Sequence, residues 1–127
     1  MVIHGGGVIR IELIDRGDPA ITDLTQAAMT MDGNWYDWDM SAVVPADATW
    51  VLLRVNIQDA FVPRPLNFRK NGNVNLQTIP GLVNQVVNKN YEAELLVPCD
   101  DAQIIEYMAP GAIALIEIII LGWICGS

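Results

Sequence analysis

Histidine is nearly missing from this chain of 127 residues: there is one, His4, beside the triglycine Gly5-Gly6-Gly7. Metal centres commonly draw their ligands from several histidines and cysteines, and the cysteines number only two, Cys99 and Cys125, set far apart. Neither a metal site nor a disulfide framework is expected, no cofactor is implied, and both thiols read as reduced and buried. Basic residues are scarce as well. Seven Lys and Arg stand against fifteen Asp and Glu, a formal charge of −8, the wrong sign for neutralising phosphates or anionic lipid, so no nucleic acid and no membrane is expected as a partner. The longest apolar run, Ala112 to Cys125, is interrupted by Glu117 and Gly122 and falls short of the roughly 20 residues a membrane-crossing helix needs. It reads as a buried strand. The first residues lack the basic and apolar regions of a secretory signal, which leads to an expectation of synthesis in a cytoplasm.

Apolar side chains, in contrast, are plentiful at 52%. A chain of this length makes one domain, and its interior is small for so many apolar groups. Burial against another subunit is the expected outlet.

Alternation with a period of two organises most of the sequence. Val8 to Ile14 reads as a strand, and Asp15-Arg16-Gly17-Asp18-Pro19 as a turn. Ala20 to Met31 has no clean period and reads as loop or irregular edge strand, with a short helix over 22–29 as the alternative. Tyr36, Trp38 and Met40 share the core face of a strand that starts at Trp35. After a corner at Val44 to Ala48, Val51, Leu53, Val55 and Ile57 share one face and Trp50, Leu52, Arg54 and Asn56 the other, in a central strand expected to be buried on nearly all sides. Two prolines in 58–65 indicate a connection. Leu66 to Lys70 is a short strand, Asn71-Gly72 a tight hairpin turn and Asn73 to Gln77 its expected partner. Leu82 to Val87, Glu92 to Val97 and Gln103 to Met108 read as further strands. In the last, Ile113 to Ile124, the set Ala114, Ile116, Ile118, Ile120 opposes Leu115, Glu117, Ile119, Leu121, Trp123, and both faces are apolar. The order Val-Pro, Asp, Ala recurs at Val44 to Ala48 and Val97 to Ala102, giving two architectural corners. The expected fold is all-β: a single-domain antiparallel sandwich of about eight strands with jelly-roll connections. Residues 1–30 form an N-terminal arm with a first strand, and 31–127 the sandwich.

Ingredients for catalysis are few, and no catalytic residue is assigned. Asp100 and Asp101 sit where aspartate satisfies backbone donors in a turn. Asp37 and Asp39 with Asp32-Gly33-Asn34 form a loose set of oxygen ligands that does not match a calcium loop. Trp35 is a candidate for stacking on a sugar. Arg64, Arg69 and Lys70 make the locally basic patch, a candidate arm for electrostatic contact. Ile113, Leu115 and Trp123 mark the apolar last strand as a candidate association face.

The stretch Val43 to Val55, with Phe68-Arg69-Lys70-Asn71-Gly72, Val97-Pro98-Cys99-Asp100, Ile105-Glu106-Tyr107 and Gly122-Trp123, resembles small jelly-roll modules of tailed-phage virion proteins, the head-decoration (cement) and tail or fibre components. The resemblance runs from Trp35 to Trp123 and leaves residues 1–30 as an extended arm. It implies a non-enzymatic structural protein of the virion, on the capsid or tail surface and assembled in the host cytoplasm. It further implies a homo-oligomer, with a trimer favoured, attached to major capsid or other virion proteins. A carbohydrate- or receptor-binding module is the alternative.

Overall fold

The structure, a computed structural model, describes residues 2–4, 7–9, 11–73 and 80–126. Along them run β1 (Val2–His4), β2 (Gly7–Ile9), β3 (Ile11–Asp15), β4 (Leu24–Thr25), one 3-10 turn (Gln26–Ala28), β5 (Tyr36–Asp39), β6 (Ala48–Gln58), β7 (Pro65–Lys70), β8 (Gly81–Val83), β9 (Tyr91–Pro98), β10 (Ile104–Met108) and β11 (Leu115–Gly126). No α-helix occurs among the described residues. β1 and β2 pair with each other, antiparallel. The remaining strands form two sheets, ordered β3-β11-β6-β9, with β4 also beside β11, and β5-β10-β7-β8.

Setting β4 aside and counting β3 and β5 to β11 as strands one to eight, the sheet orders are 1-8-3-6 and 2-7-4-5. First pairs with last, second with seventh, third with sixth and fourth with fifth, which is the jelly-roll arrangement. The sandwich expected from the alternation is therefore present, with antiparallel pairing throughout.

The two inner faces make one core. Val51, Leu53, Val55 and Ile57 of β6 lie beside Ile116, Ile118 and Ile120 of β11, while Leu66, Phe68, Ile105 and Tyr107 come from the opposing sheet. Burying a side chain of this size contributes about 1.5–3 kcal/mol, offset by the ordering of the chain. The two corners also meet. Gln103, nearly buried and at φ 61°, donates its amide to the Asp101 carbonyl at 2.6 Å and reaches the Ala46 carbonyl at 3.5 Å, while its own carbonyl accepts from Met40 N–H at 3.0 Å.

Four expectations need correction, and a fifth falls partly outside the described residues. β3 pairs with β11 from Ile11↔Gly126 to Asp15↔Gly122, so it is an edge strand of the sandwich and the domain starts well before residue 31. β6 is buried on one face only. The strand expected over 82–87 stops at Val83, because the fully buried Asn84 turns its amide to loop backbone groups, accepting from Arg64 N–H at 2.6 Å and donating to the Phe61 carbonyl at 2.9 Å. Asn71-Gly72 does turn, with Gly72 at φ 81° and Asn73 N–H donating to Lys70 at 2.9 Å. Most of its expected partner, 74–77, lies outside the described residues; β7 pairs with β8. Finally, the alternation in β11 is reset by a bulge at Leu121: Ile120 faces Leu53, but Gly122 faces Leu52 and Trp123 faces Val51. Residues directly opposite in an antiparallel pair share a face. Trp123 thus joins the core side with Val51, away from Glu117 and Ile119.

Candidate functional site

The same register rule sorts the outward-facing side chains of both sheets. On β3-β11-β6-β9 one row runs Leu13, Ile124, Trp50, Pro98 and the next Asp15, Gly122, Leu52, Leu96. Ile119, Arg54 and Glu94 follow. Leu13 is 65% exposed, Leu96 42% and Trp50 40%. Antiparallel sheets of a sandwich ordinarily turn polar residues to water, and the other sheet obeys: Asp37, Glu106 and Arg69 stand side by side on its outer face. The outer face of this second sheet is polar; that of the first is apolar around Leu13, Ile124, Trp50, Leu52 and Leu96 and polar beyond, where Glu117, Asn56 and Glu92 share a row.

A groove of about 370 Å³ is set into the apolar face. Leu13, Leu52 and Leu121 line it, with Asp15, Glu94 and the glycines Gly17 and Gly122; the Asp15 carboxylate accepts from the Gly17 N–H at 2.8 Å. Gly122 is required there, since a Cβ on it would overlap the Ile14 carbonyl of β3. Glu94 has Arg54 at 3.9 Å, a pair half open to water.

The basic residues do not form a patch. Arg64 precedes β7 and Lys70 ends it, roughly 20 Å apart at about 3.3 Å per residue. Arg64 is paired with the buried Asp59 at 3.2 Å and lies 5.3 Å from the centre of the Phe61 ring. Arg69 donates to Glu106 at 2.7 Å and stacks 4.1 Å over Trp35. Lys70 alone of the three is exposed. One face of the Trp35 ring is therefore taken by a guanidinium.

Of the apolar candidates, Ile113 is 2% exposed and belongs to the core, so it presents no association surface. Trp123 packs against the core from the inner side. Leu115 lies at the start of β11, opposite Gln58 and half-buried. The outward apolar side chains of this sheet are therefore other than those expected from the last strand: the bulge and the neighbouring strands bring out Leu13, Trp50, Leu52, Leu96, Ile119 and Ile124.

The aspartates are occupied by local structure. Asp100 accepts from the N–H groups of Ala102 and Ile104 at 3.0 and 2.9 Å and from the Asn71 amide at 2.8 Å. Burial pushes its carboxyl up, but the Ile104 N–H, the Asn71 amide and the Ala102 N–H together outweigh it and hold the group below its ordinary value. Asp32 is held low by the Tyr36 hydroxyl at 2.6 Å, which raises Tyr36 in turn, and by the Asn34 N–H. Asp39 is lowered by the Ser41 N–H. Each is a turn or local hydrogen-bond acceptor. No group of three or more His, Cys, Asp or Glu suited to a metal ion occurs among the described residues.

Comparison of the chain with protein-family models, with curated proteins and with solved structures gives no match. The site is therefore read from its own chemistry. Sequence alternation had marked Trp50 and Leu52 as a face of β6; Leu13 and Leu96 were missed because their exposure depends on which strands flank β6 and β11. A second apolar group was also missed. Phe61, Val62, Val86 and Val87 are all exposed on the connections β6–β7 and β8–β9, and Phe61-Val62 beside Pro63 in a polar connection was the available signal.

Proposed function

We propose that this chain is a non-enzymatic structural subunit that works by associating with copies of itself, a second copy covering the apolar outer face of β3, β11, β6 and β9. The observation that carries this reading is the contrast between the exposed apolar rows of that face, with Leu13, Trp50, Leu52 and Leu96, and the charged outer face of the other sheet. Exposed apolar patches of this kind mark association surfaces. Copies bearing −8 each repel, which favours contact through apolar surface, and within the apolar rows the Glu94 carboxylate is offset by Arg54.

The setting we propose is the virion of a tailed phage, as a capsid decoration or cement protein bridging major capsid subunits. The jelly-roll strand order and the resemblance of the two corners support it. A receptor- or carbohydrate-binding role built on Trp35 has less support, since Arg69 covers one face of the ring.

Light scattering over a concentration series tests the association, with an assembly mass at a multiple of 14.0 kDa expected and a shift toward monomer for Trp50→Asp. A monomer at all concentrations overturns the reading. Mass spectrometry of purified virions tests the setting.

A further inference from the structure

The loops β6–β7 and β8–β9 form one built unit rather than two free connections. Asn84, fully buried, holds Phe61 and Arg64 with its amide. Asn88 N–H donates to the Asp59 carbonyl at 2.7 Å, and the Gln58 amide donates to the Asn88 carbonyl at 3.3 Å. The Arg64 guanidinium, paired with Asp59, supports the Phe61 ring. Held this way, the unit projects Phe61, 64% exposed, with Val62, Val86 and Val87. A tip ordered before binding loses little entropy on docking, and a central aromatic anchor is the usual centre of binding energy.

The charge of the tip is unlike that of the chain. Residues 59–64 and 84–90 contain Asp59, Arg64 and Lys89, one anion against two cations, hence +1 within a chain of −8. The groove on the outer sheet face has the complementary character: apolar walls of Leu13, Leu52 and Leu121, with Asp15 on its lining and Glu94 beside its partner Arg54. A chain cannot fill its own groove. Leu52 and Gln58, where the tip begins, are six positions apart on β6 (58 − 52), about 20 Å, and the tip is tied down by the bonds above.

We propose that the Phe61 tip of one copy docks into the Leu13–Leu52–Leu121 groove of the next, so that the self-association inferred above is head-to-tail. The inference rests on that reading and adds its geometry: two different surfaces meet, so repetition closes a ring such as a trimer or runs on as an open array. An apolar anchor fills an apolar groove while the exposed Lys89 approaches Asp15.

The test is complementation between two variants altered on solvent-exposed side chains, Phe61→Ser at the tip and Leu13→Lys in the groove, with unchanged thermal melting confirming that each folds. Each alone is expected to weaken self-association about tenfold or more by sedimentation. Mixed in equal amounts, they retain one intact groove and one intact tip, and a complex of twice the monomer mass is expected that grows no further. If Leu13→Lys dissociates the assembly while Phe61→Ser does not, head-to-tail docking is overturned and association through the sheet face survives; if the mixture stays monomeric, head-to-tail docking is overturned as well. If the unaltered chain is itself monomeric, both fail.

Discussion

The backbone N–H of Cys99 donates to the Thr49 carbonyl across 3.0 Å, tying the end of β9 to the start of β6. The Cys99 thiol also faces the Ala48 carbonyl at 3.4 Å, so the cysteine sits within the junction of the two corners. Burial, then the nearby Asp100 charge, push its pKa up. Burial raises Cys125 as well, together with Asp47, but that thiol is only half-buried. Since thiolate and access control reactivity, a thiol reagent at neutral pH is expected to label Cys125 first and Cys99 only when the domain unfolds. Mass spectrometry of the labelling time course checks this; equal rates would contradict it.

Gly122→Ala should destabilise the domain by roughly 1–3 kcal/mol, the usual cost of overpacking, because the new Cβ meets backbone atoms of Ile14 and Asp15 rather than a movable side chain. Urea denaturation measures the loss. Hydrogen exchange of β3 amides should rise most, since β3 is the strand that must give way.

Arg69→Lys keeps the charge opposite Glu106 but loses the planar stack on Trp35. A cost of about 0.5–2 kcal/mol is expected. The double variant Arg69→Lys/Trp35→Ala should lose less than the sum of the single changes, the sign that the two side chains are coupled. Additive losses would show that the stack contributes nothing.

Acid should act on the Asp100 corner. Because the folded state holds this carboxyl below its ordinary value of 3.8, its contribution is present above that value and is lost as pH falls through the lower folded value. Asp100→Ala is therefore expected to lower Tm at neutral pH and to differ less from the parent chain as pH drops below 3.8. A gap that stays constant or widens in acid would refute the linkage.

Local features were legible in advance for a local reason. The turn at Asn71-Gly72 needs a residue that tolerates positive φ, and Gly72 at 81° supplies it; the role of Asp100 as a turn acceptor follows from its short side chain. Trp123 was misread because a single bulge at Leu121 moves every later residue to the other face. Ile113 was misread because apolar character alone does not separate a core position from a surface one.

What the sequence by itself determined is the strand alternation, the corners and the grouping of Val51, Leu53, Val55, Ile57 on one face of their strand and of Ile116, Ile118, Ile120 on one face of theirs, because a period of two is carried by neighbouring residues along one strand. Which outer face stays apolar was decided only by tertiary structure. Leu13, Trp50, Leu52 and Leu96 come from three strands that share a face only in the sheet order β3-β11-β6-β9, and Phe61 becomes a fixed projection only when Asn84, 23 residues later, closes on it. Surfaces of that kind are made by long-range pairing, which no local pattern records.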